Sequence, residues 1–256
     1  MSDFDRNIAA ARTGYRTDQV AIDAGLRAYM IRVYNYMTAG VALTGLVAWF
    51  TFQAAGGESI HIAGNSISGL TAFGQAIFTG PLMWLFILAP LGLVMLLSFG
   101  INRLSASTAL TLFFVYSGIL GLSLASIFVV YTGASITRVF FISAATFGAM
   151  SLYGYTTQRD LTSFGSFLFM GLIGIVIASI VNIFLQSSGL YWVISVLGVL
   201  IFVGLTAYDT QSIKEMYSPQ DDGTIVGRKA VMGALRLYLD FINLFLMLLR
   251  IFGDRR

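Results

Sequence analysis

Residues 164–186 read FGSFLFMGLIGIVIASIVNIFLQ, with no Asp, Glu, Lys, Arg or His among them. A soluble core helix needs a polar face, and this stretch has none. At about 1.5 Å of rise per residue it is long enough to cross the ~30 Å hydrocarbon layer of a bilayer. The same pattern recurs along the chain. Apolar runs span roughly residues 33–53, 81–102, 107–130, 136–157, 190–213 and 230–252, which with 164–186 makes seven. The reading is an all-α integral membrane protein of seven transmembrane helices.

Composition agrees. The chain is 57% hydrophobic and 11% charged, with a mean hydropathy of +0.82. That charged fraction is about half of what a soluble domain uses to cover its surface. Its 27 glycines are scattered through the apolar runs, as expected where small residues let membrane helices approach closely. Cysteine is absent, which excludes disulfides and thiolate metal sites. The net charge of +3 sits largely on arginines near span ends, a topology signal rather than a nucleic-acid footprint.

Residues 1–30 form a polar N-terminal tail with Arg6, Arg12, Arg16 and Arg27 among Asp3, Asp5, Asp18 and Asp23, and residues 31–253 form the membrane domain. The tail lacks the apolar core of a secretory signal. Residues 54–79 are glycine- and serine-rich without Lys or Arg, and 214–229 is the polar connection late in the chain. Pro81 opens the second span, and Pro90 inside it is expected to kink the helix. His61 reads as a solvated loop residue, Asn182 as packing glue, and Trp49, Trp84 and Trp192 as interface anchors. No P-loop, zinc-ligand spacing or nucleophile elbow is present.

With the N-terminus on side A, that face collects the five arginines of residues 6–32 together with Arg103, Arg159, Lys214, Arg228 and Lys229. Side B receives Arg138, Arg255 and Arg256. The imbalance makes side A cytoplasmic. Arg255 and Arg256 go against the rule, and a last segment that re-enters without crossing is the alternative topology.

Two aspartates stand inside spans, where a charge costs about 2.5–3.5 kcal/mol on insertion scales. Asp209 lies near the side-A end of the sixth span and Asp240 about ten residues into the seventh. Antiparallel neighbours would bring both to similar depth. Gly233, Arg236, Asp240, Asn243, Met247 and Arg250 recur at steps of three and four and share one face of the last helix. A stripe so polar is expected to face other helices or a lined path, with Asn243 and Tyr208 as lining candidates. In the plainer alternative, Arg236 and Asp240 neutralise each other at i, i+4. Two carboxylates in contact cannot readily both carry charge, so they share a proton as a coupled unit and can latch two helices together. They are also oxygen ligands for Ca²⁺, which takes six to eight, so two aspartates suit transient passage rather than a tight cage.

Residues 237–253, LYLDFINLFLMLLRIFG, resemble the C-terminal signature of the Bax inhibitor-1 (transmembrane Bax-inhibitor-motif) family. Tyr208-Asp209-Thr210-Gln211, followed by Ile213-Lys214, is similar to its sixth-span motif. The resemblance runs from about residue 29 to 253 and implies a last helix surrounded by the other six. It also implies a pH-sensitive Ca²⁺ leak, opened by acid, with Asp209 and Asp240 as the gating pair and Arg103 as its ion-pair partner. Arg236 stands where the family leads one to expect a small polar residue and competes for that role. The second span carries no acidic residue. The long polar N-terminus resembles the bacterial branch, which implies a bacterial inner membrane with the N-terminus cytoplasmic.

Ca²⁺ is thus the expected permeant ion, with no tightly bound cofactor. The expected partners are the lipid bilayer and possible membrane proteins. Two other function classes remain. An intramembrane aspartyl protease also needs two aspartates on consecutive spans, but Asp240 follows Leu-Tyr-Leu rather than Gly-x-Gly. A non-transporting protein that regulates a membrane protease or stress response would use the charged tail for docking.

Overall fold

The computed structural model describes residues 3–63, 66–80 and 82–256, and side chains except those of residues 3–23, 62, 63, 66 and 102. Pro81 and the tail side chains of Arg6, Arg12 and Arg16 therefore lie outside what is described. Nine helices and one short hairpin are seen among these residues: α1 (Asp3–Ala55), β1 (His61–Ala63), β2 (Ser66–Ser68), α2 (Ala72–Phe78), α3 (Leu82–Gly100), α4 (Ala106–Leu124), α5 (Ser126–Val130), α6 (Gly133–Thr156), α7 (Thr162–Leu185), α8 (Ser188–Glu215) and α9 (Gly223–Phe252). Seven segments are long and apolar enough to cross a membrane: Ala24–Ala55, Leu82–Gly100, Ala106–Val130, Gly133–Thr156, Thr162–Leu185, Ser188–Glu215 and Gly223–Phe252. The chain is an all-α multi-pass membrane protein.

Burial sets the order of the layers. In α9, 72% of the most apolar stretch is buried, against 11% in α3 and in α7. The C-terminal helix is therefore central. It packs chiefly on α8, α1, α6 and α4, while α3 leans on α4 and α7 on α8 from outside. The exposed faces of α3 and α7 carry Leu85, Leu88, Leu96, Phe167, Met170 and Ile177, the side chains that meet lipid tails.

Two sequence readings need correction. The polar connection expected over 214–229 shrinks to 216–222, because α8 continues to Glu215 and α9 starts at Gly223. Hydropathy senses only hydrocarbon, whereas helices continue into water when capped and paired. Asp222 caps α9 by accepting from the Ile225 amide, and Lys229 Nζ bridges Asp221 and the Met216 carbonyl. Within residues 54–79 the glycines build structure instead of a loose loop. Gly69 has φ 79°, and a Cβ there would meet the Ser59 carbonyl oxygen at 1.8 Å, so the turn packs backbone on backbone.

Pro90 lies within α3 and cannot donate to the Phe86 carbonyl four residues earlier. The Ser123 hydroxyl of α4 donates to that carbonyl instead, satisfying it from a neighbouring helix.

Contacts at the C-terminus account for Arg256, one of the two arginines that break the charge rule. Arg256 pairs with both Glu58 carboxylate oxygens at 2.8 and 3.0 Å and lies over the Phe52 ring. Arg138 donates to Asp254 at 2.9 Å, and the Arg256 amide to the Val130 carbonyl. Glu58 follows the end of α1, while Val130 and Arg138 flank the start of α6. All sit on side B, so α9 crosses completely and does not re-enter. Hydrogen bonds from Arg256 hold the Glu58 carboxyl below the ordinary glutamate range. A depressed folded value means that this contact contributes above the unfolded value and is lost as pH falls through the folded one. Backbone amides near Tyr131 and Arg256 should therefore lose protection against deuterium exchange under acid, measured relative to their intrinsic rates, and Arg256→Ala should produce the same loss at neutral pH.

Candidate functional site

The last two helices run antiparallel, and the polar stripe of α9 lies along α8. Gly233 packs on Ile213, and Met247 fills the space over Gly198, where a Cβ would sit 2.9 Å from its sulfur. At the far end Arg250 lies 5.3 Å from the centre of the Tyr191 ring. Between these contacts Asp209 of α8 meets Asp240 of α9 within hydrogen-bonding reach. The structure thus brings together the two carboxylates that the sequence singled out.

Asp240 is 5% exposed, and no donor among the described residues reaches its Oδ2. A buried carboxylate oxygen without a donor is costly. The chemistry available to it is a proton shared with Asp209 or a cation, because two ionised carboxylates offer each other only acceptors. No third histidine or acidic side chain joins the pair among the described residues, so there is no preformed cation cage there.

Arg236, one turn before Asp240 and half-buried, acts electrostatically on both carboxylates. It also borders a cavity of about 380 Å³ on side A, together with Ile101, Met216, Arg228 and Lys229. The second-span candidate Arg103 ends a 3₁₀ turn, is exposed, and is joined to neither aspartate. The structure places Arg236 at the pair, and the reason is helical geometry. A residue four positions before Asp240 shares its face, whereas Arg103 stands beyond the end of an outer helix.

The other two candidates have these surroundings. Asn243 is half-buried and donates to the Leu239 carbonyl at 2.9 Å, an internal bond of α9. Tyr208 turns its ring onto α7, where a Cβ on Gly165 would lie 2.4 Å from it. It therefore seals the α7–α8 contact.

Sequence reasoning missed a set of buried hydroxyls and amides. Tyr34 of α1 hydrogen-bonds Ser151 of α6, and Ser151 bonds Thr210 of α8 at 3.0 Å, which ties three helices beside Asp209. Gln211 accepts from the Leu161 amide and donates to the Arg159 carbonyl, both at 2.8 Å, closing the α6–α7 turn. Thr44 joins Tyr238 at 2.6 Å and donates to the Ser117 carbonyl at 2.9 Å. The available signal was hydroxyls at steps of three and four, but Ser and Thr also bond their own helix backbone, which hides it.

These features define a class: a multi-pass α-helical membrane protein whose central last helix holds a buried carboxylate pair. A sequence profile described as inhibitor of apoptosis-promoting Bax1 matches residues 26–256. The chain belongs to the Bax inhibitor-1 family. It is 50% identical over 236 residues to the inner membrane protein YbhL of Escherichia coli, covering 91% of this chain and 94% of that one. A Rickettsia prowazekii protein is 47% identical, covering 91% and 92%, and a Caulobacter vibrioides protein is 41% identical over the full length of both.

Proposed function

We propose that this protein is a passive, proton-regulated cation leak of the bacterial inner membrane. Calcium is the expected ion, Asp209 and Asp240 are latch and transient ion contact, and the N-terminus is cytoplasmic. One observation carries the reading. Two carboxylates on neighbouring helices meet inside the bundle, with Arg236 one turn away acting electrostatically on both and bordering a cavity on side A. The charge distribution and the name of the Escherichia coli relative support the membrane and the orientation.

While the pair shares one proton it keeps one negative charge, which holds Arg236 and draws α8 to α9. A second proton removes that charge and loosens the latch, so flux rises as pH falls. Purified protein in liposomes should pass Ca²⁺ with a rate that rises as pH is lowered from about 8 to 6. Asp209→Asn and Asp240→Asn should each flatten the response, and the double variant should behave like either single one, because the two groups act as a unit. A wild-type flux independent of pH, or a response unchanged in both single variants, defeats the gating mechanism.

A further inference from the structure

Away from the aspartate pair, a groove of about 580 Å³ lies between α1 and α6, floored by Phe241 of α9. Both helices pack on α9 and splay apart in front of it, so the groove opens sideways, where the bilayer is. Its floor is apolar and buried, with Met37, Phe147 and Phe241, while Leu152 on the rim is 64% exposed.

Its length and charge select an occupant. The groove follows α1 from Arg27 to Val41, a rise of about 21 Å, which is the depth of one leaflet with its headgroup region. The side-A end is polar and positive. Arg27 is exposed there and makes no hydrogen bond with a described residue. Tyr155 lines the same end and holds Lys214, whose Nζ donates to the Tyr155 carbonyl at 2.9 Å. An acyl chain under a phosphate fits both the apolar channel and its cationic mouth.

The geometry points to a phospholipid site: one acyl chain lies in the α1–α6 groove and its anionic headgroup rests on Arg27, with Lys214 close by. The site is independent of the ion-leak reading. Gly148 offers a clean way to fill it, because it lines the groove and a Cβ there meets nothing within 4 Å. Gly174 on the outer helix α7 is equally open and serves as the control.

The test is native mass spectrometry of the full chain in detergent, titrated with phosphatidylglycerol or with zwitterionic phosphatidylcholine. Wild type should retain one phosphatidylglycerol per chain, about fivefold more tightly than phosphatidylcholine, the effect of one cation near an anionic headgroup. Arg27→Gln should erase that preference. Gly148→Phe should lose the bound lipid with an unchanged melting temperature, and Gly174→Phe should keep it. The proposal is overturned if Gly148→Phe binds lipid as wild type does, or if the two lipids bind wild type equally. It is also overturned if Gly148→Phe only splits a dimer, which would make a second copy the occupant.

Discussion

Gly154→Leu is expected to lower stability by about 3 kcal/mol, a fall of roughly 6–12 °C in melting temperature for a chain of this size. A Cβ on Gly154 of α6 would lie 2.2 Å from the Ala207 carbonyl oxygen, 2.8 Å from its carbon and 2.9 Å from its Cα. All three are backbone atoms of α8, so no rotamer change relieves the clash and the helices must separate. The displaced segment stands two residues before Asp209 and carries Thr210, which bonds Ser151 on α6. Gly154→Leu should therefore disturb the aspartate pair as well as the fold. Gly148→Leu on the same helix adds the same atoms in open space and should stay within about 0.5 kcal/mol of wild type. Thermal unfolding of both variants in one detergent, followed by tryptophan fluorescence, checks this. Equal melting temperatures would mean that α6 and α8 do not approach closely.

The second large effect belongs to Arg236. Arg236→Met removes a cation that acts electrostatically on both aspartates from one turn away, a loss of about 1–2 kcal/mol at neutral pH. Asp240→Asn in the same chain removes one of those acidic groups, so the double variant should recover part of the loss. Arg103→Met should change stability by no more than about 0.5 kcal/mol, because that side chain is exposed and joined to neither aspartate. Denaturation of the four proteins separates the two arginines. A greater loss in Arg103→Met than in Arg236→Met would return the ion-pair role to the second span.

The family's aspartates were legible one by one because a charge inside a 20-residue apolar run is rare and stands out. Their meeting could be anticipated only in part. Consecutive spans joined by a short connection must run antiparallel, which puts Asp209 and Asp240 at similar depth, but rotation of each helix about its axis is set by packing. Tyr208, the neighbour of Asp209, shows the difference: it was a lining candidate, and the Gly165 notch on α7 draws its ring away. Arg103 shows it again, since ending on the correct side of the membrane does not bring a residue to the centre of the bundle.

By itself the sequence determined the membrane class, the seven apolar runs and which charges had to be sheltered, while the full crossing of the last run was decided by contacts of the C-terminus. The first three follow from the cost of placing polar groups in hydrocarbon, a cost that each segment bears alone. Only the tertiary structure decided which arginine serves the pair, that Ser123 satisfies the carbonyl freed by Pro90, and that Glu58 anchors the C-terminal arginine. It also opened the groove between α1 and α6. In a bundle with lipid outside and side chains inside, hydropathy sees both surroundings as equally apolar. Small residues, hydroxyls and shape therefore choose the neighbours, and those contacts join residues from 37 to 198 positions apart.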